Sequence, residues 1–365
     1  MLRLFRFRVV THHTLRKSAV RQVDVWVRNA LSASVTLIGV AAGVFLVWQA
    51  SDALMLILVS IVAAVALSGA ADGLSTYTGA SRQWSLLSVL IFIVAAIAIG
   101  VWFGGATLLD QFQSYVRSVR GIVMAAQDFI ERGAGGLFPA GTVAVNEVMP
   151  RFAAVFNSAT WLLTAVTGGV LNAVLIAFLA SFLAWHPGAY TSGLLRLIPP
   201  ARRSDVGNAL TRAGRAVRMW LLGQSVSMVV IFAASLIALW AVEMPYAILL
   251  AFLAGILTFV PTIGPVIAGI AITLAGFSAS VTMGLYGLAL YVAIQFIETY
   301  IITPIVQKEA VHLPPAATLG AQLIGGVLLG PLGFAFAVPL AAALSALVLS
   351  LYVEPNEHRA SVAAE

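Results

Sequence analysis

Residues 244–297 carry no charged side chain, yet FVPTIGPVIAG at 259–269 interrupts the run near its middle. Pro261 and Pro265 each remove a backbone donor and obstruct the preceding turn, and Gly264 weakens a helix further. In lipid an unpaired backbone group is tolerated only where it is buried in protein or lines a wet cavity. A break in so oily a run therefore constrains the fold more than any other feature.

As a helix, residues 246–260 reach about 22 Å, short of the ~30 Å hydrocarbon core, and residues 266–276 reach less. Neither half spans alone. A second oily run, 316–352, is broken by GPLG at 330–333. The order is span, broken segment, span, broken segment. Two re-entrant hairpins would make 246–276 enter from outside and 316–352 from the cytoplasm, the inverted-repeat logic of many transporters. A kinked spanning helix is the alternative for each.

Only 9% of the residues are charged and 61% are hydrophobic, where a soluble domain carries about a quarter charged. The expected fold is all-α: a polytopic integral membrane protein with about eight membrane segments, two of them broken. Unbroken spans are expected at 30–50, 53–71, 84–103, 161–185, 220–242 and 283–303. Ser51 and Asp52 read as a turn, and Asp72, Gly73 and Arg82 as a loop. Residues 1–29 form a basic cytoplasmic segment and 30–103 the first three spans. Residues 104–160 form an amphipathic extracytoplasmic segment of two helices, broken at 133–141 and lying on the membrane or on a neighbouring subunit. Residues 161–219 hold the fourth span and a basic loop, 220–352 the transport core and 353–365 a cytoplasmic tail.

The net charge of +6 follows this topology. Arginines gather at 1–28 and 196–218, which three crossings and a return put on one side, as the positive-inside rule requires. Both termini are thus expected to face the cytoplasm across the inner membrane, with the arginines near anionic lipid headgroups. Nucleic-acid binding is not indicated. The tryptophans at 84, 102, 161, 185, 220 and 240 fall near span ends and read as an interfacial belt.

Several chemistries are excluded. Without cysteine there is no disulfide framework, and the five histidines form no metal-binding spacing. No phosphate loop, G-x-S-x-G, H-E-x-x-H or pair of intramembrane aspartates is present, so neither an enzyme nor a cofactor is expected. A secondary transporter of a small hydrophilic solute is the leading expectation. A cation/proton antiporter and a non-transporting membrane scaffold are the alternatives.

The ordered set RMWLLGQSVSMVVIF (218–232), MPYAILLAFLAGILTFVPTIGPVIAGI (244–270), FIETYIITPIVQKEAVHLPPAA (296–317) and LIGGVLLGPLGFAFAVPLAAAL (323–344) resembles the autoinducer-2 exporter family, the PerM-like permeases. The chain departs from that family's pattern at Thr262, often aromatic, and at Thr299, often asparagine. The resemblance implies a homo-oligomer that moves small solutes such as an autoinducer-2-like signal, with H⁺ or Na⁺ as coupling ion in some relatives.

The candidate pathway residues follow from the breaks: Thr258, Pro261, Thr262, Gly264 and Pro265 at the first, and Gly330, Pro331 and Gly333 at the second. Gln224 and Gln295 are polar residues in spans, able to bind solute or to bond helix to helix. Thr258 and Thr262 could instead bond back to freed carbonyls. Glu298 is the one acid between Glu243 and Glu309. An intramembrane carboxylate is by default a proton or cation carrier; pairing with Lys308 or contact with water is the other reading. His312 reads as a loop residue.

Overall fold

The computed structural model describes residues 51–133, 159–302 and 314–357, residue 304 and scattered positions between 34 and 50. The basic segment 1–29, the glycine-rich break at 133–141 beyond Gly133, Lys308, His312 and the last residues of the tail lie outside the described residues. The chain divides into two units, residues 1–54 and 55–365. In the first, the described positions between 34 and 49 are helical and exposed.

All regular structure among the described residues is helical: α1 (Ser51–Thr78), α2 (Arg82–Gly133), α3 (Ala159–Trp185), α4 (Pro187–Arg196), α5 (Arg203–Ala241), α6 (Ala247–Leu257), α7 (Ile263–Ala279), α8 (Val281–Ile297) and α9 (Pro315–Val348). Among the described residues, five helices can cross a membrane by length and composition, or six if the bent pair α3–α4 counts as one span. That pair turns by 79° where Pro187 opens α4, because proline fits a helix's first turn but cannot extend the previous one.

The start of the second unit departs from the expected loop. Asp72 and Gly73 lie inside α1, which runs on to Thr78 and stops at Gly79 with φ 68°, a left-handed angle that glycine adopts freely. Asp52 likewise sits in the first turn of α1, where a carboxylate meets the positive end of the helix. Arg82 opens α2 and fastens three helices. Its guanidinium donates to Asp72 Oδ1 at 2.9 Å, to Ser68 Oγ at 3.2 Å and to the Ala184 carbonyl at 3.0 Å. The last carbonyls of α3 have no donor within their own helix, and a cation suits that end.

A larger departure is α2. The helix expected to end near 103 continues unbroken to Gly133, 52 residues in all. Its first half is exposed on every side from Ile91 to Phe103. Its amphipathic second half packs on this same chain, where Tyr115 and Val119 join Leu239, Leu250 and Ile272 in one core. The apolar stripe at 108–123 thus packs in part on α6 and α7.

The two short apolar helices α6 and α7 fold back on each other. Ala251 and Leu250 share a core with Ile272 and Ala275, while Ala254 shares one with Ala268. A continuous helix would hold Ala254 and Ala268 about 21 Å apart. The reversal occupies residues 258–262, and Gly264 approaches so closely that a Cβ there would overlap the Leu257 carbonyl. α9 reverses too, at Gly330 (φ 69°, ψ −161°). A Cβ on Gly325 would lie 2.6 Å from the Gly333 carbonyl oxygen and 3.2 Å from Ala337 Cβ. In a straight helix residues twelve apart are about 18 Å distant. Both breaks expected from the sequence are therefore sharp reversals.

α5 is the hub, packed against α6 and α9. Arg218 donates to the Gly69 carbonyl of α1 at 2.8 Å, and Arg212 pairs with Glu354 at 2.7 Å. These two members of the arginine cluster thus hold helices together. Trp220 does not belong to an interfacial belt: it is buried midway along α5, edge-on to Phe259 at 5.7 Å.

Candidate functional site

The first reversal docks on both arms of α9. Gln322, on the first arm of α9, donates from Nε2 to the Pro261 carbonyl at 3.1 Å. Gln224 of α5 donates from Nε2 to the Thr258 carbonyl. Proline breaks free carbonyls, and here the amide side chains of two neighbouring helices take them up. Phe259, between those carbonyls, packs on Trp220 of α5 and on Phe336 of the second arm of α9, at 5.7 and 5.2 Å. The first tip is thus held from α5 and from both arms of α9.

Beside this tip lies a narrow cavity of about 20 Å³. Thr258 and Pro265 reach it from the first reversal, Gln295, Glu298 and Tyr291 from α8 and its end, and Ser235 from α5. Glu298 begins a wide π-type turn, 298–302, that continues α8. Gln295 Nε2 lies 3.4 Å from Glu298 Oε2 and 3.4 Å from Thr299 Oγ1. The Thr258 hydroxyl donates back to the Ala254 carbonyl at 2.8 Å, the local bond that a threonine near a helix end can make. Gly269 lets the Tyr291 ring lie against α7, because a Cβ there would overlap it.

The structure brings Thr258, Pro265, Gln295 and Glu298 into one cavity. It ties Gln224 and Pro261 to the same region through carbonyl bonds. Gly264 and Gly333 are buried at the two reversals, where they permit close approach. Thr262, with φ 72°, is exposed at the first tip, and Gly330 and Pro331 form the second tip; none of these three lines the cavity.

Two residues escaped the sequence reading. Gln322 and Ser235 are both fully buried, and each keeps one polar atom without a hydrogen-bond partner among the described residues: Gln322 Oε1 and Ser235 Oγ. A lone polar residue in an apolar run was the available signal. Among the described residues, no three His, Cys, Asp or Glu side chains gather so as to hold a metal ion.

Known proteins resemble this chain in sequence. The sequence model of the AI-2E transporter family matches residues 37–352. PerM, a candidate permease of Escherichia coli, is 25% identical over 338 residues, covering 88% of this chain and 95% of its own. YrrI, a candidate transport protein of Bacillus subtilis, is 21% identical over 287 residues, 77% of this chain and 81% of its own. A candidate transport protein of Mycobacterium tuberculosis is 29% identical over 205 residues, 56% of either chain.

Proposed function

Because the chain belongs to the AI-2E transporter family, we propose that it is a secondary transporter exporting a small hydrophilic solute, such as an autoinducer-2-like signal, across the cytoplasmic membrane. The observation that carries this reading is the docking of the first reversal on the arms of the second broken helix, through Gln322 and Pro261. Paired broken segments in corresponding places are the best structural pointer to a transport site. Here the freed backbone groups are gripped by amides that can exchange one partner for another.

On this reading 246–276 and 316–352 are re-entrant, enter from opposite sides and bring the count of membrane segments to about eight. The pathway uses Gln224, Thr258, Pro261, Thr262, Gly264, Pro265, Gln295, Gly330, Pro331 and Gly333. Glu298 couples movement to a proton or cation. Both termini are cytoplasmic, and the chain works as a homo-oligomer among membrane lipids. The test is flux of autoinducer-2 from proteoliposomes with and without the protein, under an imposed pH gradient. Equal flux in both would sink the solute assignment.

A cation/proton antiport reading has one observation in its favour: among the described residues the cavity holds a single carboxylate, and it offers little space. Sodium-dependent proton movement in vesicles without any organic solute would select it.

A further inference from the structure

The Ser235 side chain is 0% exposed, lines the same cavity as Glu298 and has no hydrogen-bond partner among the described residues. A buried polar group left unpaired costs about 1–3 kcal/mol. A polar cavity holds a water once it offers roughly 10–15 Å³ and two to four polar partners. This one offers about 20 Å³. Organic ligands occupy pockets of about 300–1,000 Å³, so the space beside Ser235 suits a molecule of water's size.

The surrounding groups fit the same occupant. The Thr258 hydroxyl spends its proton on the Ala254 carbonyl and keeps lone pairs to accept a bond. The Gln295 amide approaches Glu298 only at 3.4 Å, a weak contact that leaves the carboxyl room for a better partner. Tyr291 is the other titratable side chain on the wall, and among the described residues no Lys, Arg or His lines it.

We infer that one water bridges the Ser235 hydroxyl to the Glu298 carboxyl. Ser235 is then a positioning residue: through the water it turns the carboxyl toward α5 and the first reversal. The inference rests on the reading of Glu298 as the coupling group, and names what that group touches.

The test is infrared difference spectroscopy of the full chain in lipid vesicles, between two pH values and with no transported solute. Glu298→Gln removes, and so assigns, the carboxyl band. In Ser235→Ala that band should move to higher frequency, the sign of a lost hydrogen bond, and in Ser235→Thr it should stay near the wild-type position. Exchange into ¹⁸O water should shift an O–H stretch that is missing from Ser235→Ala. A carboxyl band that stays put in Ser235→Ala overturns the bridge. So does a band displaced by Na⁺ at fixed pH, which would place a cation there. If Glu298→Gln leaves the spectrum unchanged, the coupling reading is lost, and the ¹⁸O-sensitive stretch alone decides the water. Absent flux with the expected spectra would remove the solute assignment and leave the bridge intact.

Discussion

The side chain of Gln322 donates to the backbone carbonyl of Pro261 at 3.1 Å, joining residues 61 positions apart where the first helix reversal docks on an arm of the second. The carbonyl also receives the Ile263 N–H at 2.9 Å. Breaking the side-chain bond therefore leaves it partly satisfied. Interhelical bonds in membrane proteins average about 0.6 kcal/mol, so Gln322→Leu should lower stability modestly while freeing the tip. With Thr262→Cys as reporter in this cysteine-free chain, thiol labelling should speed up several-fold in the Leu variant. Unchanged labelling would show that the bond does not restrain the tip.

Gly264 and Gly333 tolerate no side chain. A Cβ on the first would overlap the Leu257 carbonyl, and one on the second the Gly325 carbonyl and Leu329. Even alanine must therefore displace backbone, at a cost of about 1–3 kcal/mol. Gly264→Ala and Gly333→Ala should lower the midpoint of thermal unfolding in detergent and reduce flux together. Either variant melting like wild type would mean that the reversal can open without strain.

Arg82 should matter more than its ion pair suggests. Asp72 and Arg82 are both partly exposed, and such pairs are worth about 0–1 kcal/mol. Arg82 also serves the end of α3, where hydrogen bonds from a charged donor contribute about 1.5–3 kcal/mol. Asp72→Ala should thus cost clearly less than Arg82→Ala in thermal unfolding. Equal costs would confine the role of Arg82 to the pair.

Glu298→Gln keeps the shape of the carboxyl and removes its charge and titration. If Glu298 couples transport, wild-type flux should respond to an imposed pH gradient and the variant's should not, with assembly unchanged by size-exclusion chromatography. A pH response that survives in the variant would take Glu298 out of the mechanism.

Should residues 246–276 enter and leave on one side, single cysteines at Glu243 and Ala279 must share that side. Both positions are exposed. An impermeant thiol reagent on intact cells should label both or neither. Labelling of only one would mean that the segment crosses.

The places of the reversals were legible because their causes are local. Pro261, Pro265 and Gly330 act on their own backbone and need no partner to break a helix. What those breaks touch was not legible. Gln322 and Ser235 each look like any isolated polar residue in an oily run, and their meaning comes from residues far along the chain. The continuity of α2 was missed for a different reason. Polarity changes near residue 104, and in sequence a change of surroundings looks like the end of a helix. Helix-forming backbone is indifferent to whether lipid, water or protein lies outside it. Trp220 shows the same limit, since a tryptophan near a span's expected end fits a membrane interface as well as it fits a buried contact with Phe259.

The length of α2 has a mechanical consequence. Arg82 anchors one end to α1 and α3, and the Tyr115 hydroxyl donates to the Ala271 carbonyl of α7 at 3.2 Å. Those two points lie about 50 Å apart along one rod. A tilt of about 5° at the anchor would swing Tyr115 by roughly 4 Å, farther than a hydrogen bond can stretch. Any motion of the first reversal must therefore slide along the rod's face, detach from it, or carry the first three helices as a rigid strut.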